Sequence, residues 1–198
     1  MNKVVLITGF PGAGKTTVVN HLQKIVLNAI VVRYGEVILE VLRRKDKTLT
    51  YDKMKKNASG LIDETVVAKA DRLVLRRAPK LKQKGSLLME SHAVTKEDFG
   101  IKLTPPQNSA FISKINFDAI VFIYCSPKVL LKRIQNNPGQ RLTPSLNEIR
   151  VGTQLQQGLS LNYSILAKCP LYVVDNSKGE DALQTQLTQI FAKLNLIK

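Results

Sequence analysis

Residues 4–16 read Val-Val-Leu-Ile-Thr-Gly-Phe-Pro-Gly-Ala-Gly-Lys-Thr, an apolar β-branched run, a glycine-rich turn, and a Lys-Thr pair that heads a helical pattern. Gly9, four intervening residues and Gly14-Lys15-Thr16 match the phosphate-cradling pattern G-x-x-x-x-G-K-[ST] in the strand–loop–helix context it requires. Glycines let the backbone curl until several N–H groups converge on phosphate oxygens, and the following helix adds its positive N-terminal end. The stretch Gly9, Phe10, Pro11, Gly12, Ala13, Gly14, Lys15, Thr16 and Thr17 is therefore expected to hold ATP. In such a loop the lysine reaches the β- and γ-phosphates, and the hydroxyl of Thr16 is offered to Mg²⁺.

The rest of the chain alternates strand-like and helix-like segments. Strands are expected at 3–8, 29–33, 86–91, 119–125 and 171–174, each short, apolar and rich in β-branched residues, as strands buried on both faces are. Helical patterns cover 15–26, 37–44, 51–77, 127–136, 145–167 and 181–194, with Pro79, Pro105-Pro106 and Pro138-Gly139 as punctuation. That order predicts an α/β fold of the P-loop NTPase kind, three layers α/β/α around a five-stranded parallel sheet, in one domain over residues 1–198. Residues 37–84 are too many for a simple crossover and are expected to form a helical substrate-binding lobe, with a short lid at about 134–145.

Ligands sit beyond the carboxyl ends of the strands in such sheets. That rule gathers the glycine-rich loop, Tyr34-Gly35-Glu36, Glu90-Ser91-His92, the segment after Cys125 and Asp175-Asn176 around one site. Glu90 ends an otherwise apolar strand and is a candidate catalytic and metal-directed carboxylate. His92 either contacts the acceptor or is a hydrogen-bonded strand-end histidine. Glu36 either meets a ribose or base edge or favours the dipole in the first turn of a helix. His21 is expected at the surface, and Tyr163 and Tyr124 in packing roles.

The net charge of +15, from 30 Lys and Arg against 15 Asp and Glu, fits a field that steers polyphosphates or a nucleic-acid partner. No apolar run is long enough to cross a bilayer, and the N-terminus starts directly on strand-like sequence, so no membrane partner and a cytoplasmic location are expected. Cys125 and Cys169 belong to no metal-spaced pair and are expected reduced and buried.

The segments 8–16, Arg33-Tyr-Gly-Glu36, Glu90-Ser-His-Ala-Val94 and Pro127-Lys-Val-Leu-Leu-Lys-Arg133 together resemble the archaeal-type adenylate kinases, in order and over nearly the whole chain. The resemblance implies exchange of ATP and AMP for two ADP with Mg²⁺ on the triphosphate. It makes Lys15 the stabiliser of the transferring phosphoryl group, with Thr16 and Glu90 at the metal. It places Tyr34, Glu36, Lys56 and His92 at the monophosphate pocket, Arg133 and Arg141 in the lid, and Asn176 near the adenine of ATP. A homo-oligomer, a trimer in that family, is a further implication. The chain departs from the family where Lys53, Lys55 and Lys56 stand for an expected arginine and where residues 95–106 lose much of the family motif. Lysine lacks the two-pronged geometry of arginine, so another small acceptor stays open beside AMP. An ATP-dependent RNA-associated assembly factor with weak ATPase activity is the alternative of a different class.

Overall fold

The computed structural model describes residues 1–108, 110–136 and 143–197. Five parallel strands form its central sheet: β1 (Val4–Thr8), β2 (Ala29–Arg33), β3 (Ser86–Glu90), β6 (Ala119–Tyr124) and β7 (Leu171–Asp175), in the order β2-β3-β1-β6-β7. The expected strands and sheet are present. β1 lies at the centre, pairing Ile7 with Glu90 on one side and Val5 with Ala119 on the other. Every β1 residue is buried, which its unbroken apolar sequence permits only with a layer on each face.

One layer contains α2 (Tyr34–Arg43), α5 (Glu64–Lys84) and α6 (Phe111–Ile115), whose apolar faces join Leu6, Leu87 and Met89 in one core cluster. The other contains α1 (Lys15–Ile25), α7 (Pro127–Gln135) and α9 (Glu180–Lys193), around Val5, Ile7 and Val121. The long α8 (Leu146–Ala167) supplies Ile149 to the second cluster and Tyr163 to the first. It starts on a reciprocal capping box between Ser145 and Glu148.

Several boundaries differ from the sequence reading. The single helix expected over 51–77 is three: α3 (Tyr51–Lys56), α4 (Ala58–Leu61) and α5. The breaks fall where side chains offer the backbone an alternative: Thr50 caps α3 through Lys53 N, and Asp63 caps α5 by accepting from Val66 N at 2.7 Å. Pro79 does not end the helix. It lies on the exposed side of α5, which runs on to Lys84 because Val74 and Ala78 remain buried. Thus residues 37–84 include the helix that crosses from β2 to β3 and covers the sheet, along with α3 and α4. The sequence reading also missed a hairpin, β4 (Val94–Glu97) with β5 (Gly100–Leu103), whose polar residues carry little apolar alternation. Cys125 is buried as expected, while Cys169 is only half-buried; both are free thiols. Among the described residues no helix is long and apolar enough to cross a membrane.

Candidate functional site

The loop between β1 and α1 closes over itself in a way only its glycines allow. Gly9, Gly12 and Gly14 have φ of 156°, 89° and 95°, outside the range of ordinary side chains. A Cβ on Gly9 would lie 2.5 Å from the carbonyl oxygen of Ile123 on β6, so the loop rests directly on the neighbouring strand. Lys15, 5% exposed, donates through Nζ to the carbonyls of Gly9 at 2.9 Å and Phe10 at 3.1 Å. The cation thus lies across the mouth of the loop, held by two main-chain acceptors.

Two strand ends complete the donor side. Thr16, in the first turn of α1, donates from Oγ1 to Glu90 Oε1 at 2.8 Å. Glu90 Oε2 is buried, lies 3.6 Å from Arg33 Nε and accepts no hydrogen bond among the described residues. Arg33 is itself aimed by a 2.7 Å bond from Nη2 to Asn20 Oδ1. At the end of β7, the side-chain amide of Asn176 donates to Ala13 O at 2.8 Å, and the Asn176 carbonyl accepts from Arg133 Nη2 at 2.9 Å. Asn176 therefore braces the loop backbone and anchors Arg133 beside it, with the second Arg133 nitrogen 3.5 Å from Cys125 Sγ. Burial pushes the Cys125 thiol up, outweighing the nearby guanidinium.

Lys15, Thr16, Arg33, Glu90 and Arg133 line one side of a cavity of about 660 Å³. Its far wall is apolar and aromatic, built from Met54, Phe111, Phe117 and Tyr163, with Tyr34 packed edge-to-face on Phe111 at 6.4 Å. The Tyr34 hydroxyl donates to Asp71 Oδ1 at 2.6 Å, while Asp71 Oδ2 accepts from the backbone of Gln107 at 2.7 Å and Asn108 at 3.1 Å. Burial raises the pKa of both Tyr34 and Asp71; the hydrogen bond to Asp71 and its charge push Tyr34 up further, while the same bond partly offsets the rise at Asp71.

Every described candidate from the sequence except Asn176, which braces the loop through Ala13, lines this cavity or belongs to its loop. Glu36 lies in the first turn of α2, exposed and 3.8 Å from Arg33. Lys56 is exposed on α3 at the cavity rim, next to Lys55, whose ammonium sits 4.3 Å above the Tyr51 ring. His92 is half-buried on the wall after β3. Arg141 and the middle of the expected lid lie outside the described residues. His21, expected at the surface, is half-buried with Nε2 shielded and without a hydrogen bond among the described residues.

Sequence reasoning passed over three contributors. Gln156 on α8 accepts from the backbone of Ala93 at 2.9 Å and Val94 at 3.2 Å and donates to Thr8 Oγ1 at 3.0 Å, tying α8 to the end of β1 and the start of β4. Gly152 lies against the Phe10 ring, leaving no room for a side chain. Asp71 carried a signal: its spacing from Val67, Val74 and Ala78 puts a lone carboxylate on the apolar face of a basic helix.

A family model described as an AAA domain matches residues 8–150, from the end of β1 into α8. The chain is 25% identical over 177 residues to an adenylate kinase of Thermoplasma acidophilum, covering 88% of this chain and 90% of that one. It is 24% identical over 191 residues to an adenylate kinase of Thermococcus sibiricus, covering 94% of each. An adenylate kinase of Methanothermobacter thermautotrophicus is 25% identical over 183 residues, covering 90% of this chain and 92% of its own length.

Proposed function

This chain belongs to the AAA-domain family, and from that premise we propose that it is a P-loop kinase of adenylate-kinase type, transferring the γ-phosphoryl group of ATP to a nucleoside monophosphate, AMP in the first instance. The observation that carries the reading is the Thr16–Glu90 hydrogen bond at 2.8 Å, which joins the donor loop to the strand end facing the aromatic half of the cavity. A hydrolase or switch needs only the loop. A kinase needs a second, walled compartment next to it, and Tyr34, Met54, Phe111 and Tyr163 supply one able to take a purine.

In this reading the loop N–H groups and Lys15 hold the β- and γ-phosphates. The Lys15 ammonium exchanges its contacts with the Gly9 and Phe10 carbonyls for phosphate oxygens. An acceptor phosphate oxygen attacks the γ-phosphorus, the bond from that phosphorus to the β,γ-bridging oxygen breaks, and the electron pair leaves on ADP. Arg133, anchored to the Asn176 carbonyl, offsets charge on the transferring group. The Thr16 hydroxyl and the Glu90 carboxylate, whose Oε1 accepts from it and whose buried Oε2 accepts no hydrogen bond among the described residues, are hard oxygen donors of a kind that fits Mg²⁺. When bound, that ion would neutralise phosphate charge.

One observation favours a different acceptor. The cavity is lined by Lys55 and Lys56, and by Lys96 and Lys102, which pair with Glu148 at 3.1 Å and Glu64 at 3.5 Å; lysines are point charges that hold an anion without fixing its orientation. The test is a phosphotransfer panel with Mg-ATP and AMP, GMP, CMP, UMP or small sugar acids, scored as ADP formed above the acceptor-free rate. Turnover with AMP is expected and should disappear in Lys15→Ala. Equal rates with and without every acceptor would overturn the kinase reading, and turnover confined to a non-nucleotide acid would replace AMP.

A further inference from the structure

We propose that the outer face of α5 is a docking surface for the phosphate backbone of a nucleic acid. Lys69, Arg72, Arg76 and Lys80 are all exposed and fall on one stripe, with spacings of three, four and four residues. At 1.5 Å per residue they cover about 16 Å, a length over which one strand of a duplex carries about five phosphates.

The stripe is distinguished by what surrounds it. α5 carries seven basic residues against two acidic ones, a third of the chain's net charge of +15. Each carboxylate on α2, α5 and α6 is already engaged. Glu36 lies by Arg33, Glu40 is held by Arg77 and Arg44, Glu64 is 3.5 Å from Lys102, and Asp71 is buried under Tyr34. The four stripe cations make no ion pair or hydrogen bond with the described residues. Lys114 on the adjoining α6 is exposed as well and adds to the same field. A surface with its anions neutralised internally and its cations left over is an electrostatic footprint for a polyanion.

The partner is a nucleic acid rather than a lipid surface because nothing here inserts into a bilayer. Among the described residues, the exposed large apolar side chains lie on other elements, such as Leu161, Ile165 and Leu166 on α8, and none is on α2, α5 or α6. The apolar face of α5 is spent on the core, so the stripe has no apolar face to bury in a bilayer as an interfacial helix does.

The experiment is fluorescence anisotropy of the full chain with labelled 20-nucleotide single-stranded RNA, single-stranded DNA and the corresponding duplexes, between 50 and 200 mM salt. Contact of four cations with phosphates predicts a slope of log K on log salt of about −3 for single strands and about −3.6 for duplexes. The RNA and DNA arms identify which backbone is taken. The quadruple variant K69Q/R72Q/R76Q/K80Q is expected to lose at least 10-fold in affinity and most of the slope. A control with the same charge change on the opposite layer, K24Q/K128Q/K132Q/K193Q, is expected to lose less than 3-fold. The charge-preserving R72K/R76K should bind as the parent does, which separates lost charge from lost folding. Equal losses in the two quadruple variants would overturn the proposal by showing bulk charge alone. So would tighter binding to phosphatidylserine vesicles than to any nucleic acid, or no binding at 50 mM salt.

Discussion

The Thr16 hydroxyl and the Glu90 carboxylate meet at 2.8 Å, and through them the first turn of α1 is fastened to the C-terminal end of β3. Neither residue is near the other in sequence, and both lie on rigid elements on either side of β1. Glu90 is further flanked by Arg33, so its carboxylate bridges a cation on β2, through Oε2, and the Thr16 hydroxyl, through Oε1. Glu90→Gln keeps the shape and one acceptor oxygen while removing the charge. We predict a loss of about 100-fold or more in kcat, with the melting temperature within a few degrees of the parent. The Mg²⁺ concentration for half-maximal rate should rise in Glu90→Gln and in Thr16→Val, but not in Thr16→Ser. A Glu90→Gln enzyme with unchanged kcat would remove Glu90 from the chemistry.

Gly152 and Gly158 lie on the same helix and answer different demands. A Cβ at Gly152 would collide with the ring of Phe10, which is 2% exposed and belongs to the donor loop; a Cβ at Gly158 would meet nothing within 4 Å. Gly152→Ala should cost about 1–3 kcal/mol through overpacking and raise the KM for ATP by displacing Phe10. Gly158→Ala should stabilise the helix by about 0.5–1 kcal/mol and leave KM alone. Thermal melts with steady-state kinetics check both. Equal behaviour of the two alanines would show that Phe10 does not depend on α8.

Tyr34, Asp71 and the Gln107–Asn108 backbone form a buried junction between α2, α5 and the segment before α6. Asp71→Asn keeps one acceptor oxygen for the Gln107 and Asn108 N–H groups but replaces the short bond accepted from Tyr34 with an amide donor, forcing the Tyr34 hydroxyl onto its longer 3.3 Å contact with Val67 O and removing a charge-assisted hydrogen bond. The expected cost is about 1–3 kcal/mol of stability. Tyr34 lines the compartment proposed above for the acceptor, so on that reading KM for the acceptor should rise several-fold while KM for ATP holds. A KM change shared equally by both substrates would indicate a general loosening instead.

How far the sequence revealed this site depended on how local each cause was. The glycine-rich loop is contiguous, and its strand, turn and helix are dictated within sixteen residues, so Lys15 and Thr16 were found together. Glu90 was found because a charge ending an apolar strand breaks a strong pattern. The strand-end rule brings Asn176 to the neighbourhood of the loop, but its contact with Ala13 depends on β7 ending beside the loop, which no local pattern shows. Gln156 and Gly152 give no local sign, since both lie in the part of α8 beyond Arg150 that carries no charge, and its register against β1 and β4 is set by tertiary packing. The hairpin at 94–103 was missed for the opposite reason: Lys96, Glu97, Asp98 and Lys102 hide the alternation that marks a strand.

Arg77 grips Glu40 with two parallel hydrogen bonds, 2.6 Å to Oε2 and 2.7 Å to Oε1, across the α2–α5 contact. The guanidinium holds the Glu40 carboxyl below the usual glutamate range, against a smaller upward push from burial. A carboxylate whose folded pKa is depressed contributes stability that is fully present above its unfolded pKa, about 4.3, and is lost as pH falls through the folded value. Both side chains are about two-fifths exposed, 42% and 41%, so solvent screens the pair and the contribution at pH 7 should be only about 0.5–1 kcal/mol. A double-mutant cycle of Glu40→Gln and Arg77→Gln, followed by urea unfolding, should return that coupling at pH 7, less of it in 1 M salt, and none at pH 3. The Arg77 stem also packs at the helix contact, so the single Arg77→Gln variant keeps a penalty at pH 3 that the cycle subtracts. A coupling that persists undiminished at pH 3 would show that shape, not charge, joins α2 to α5.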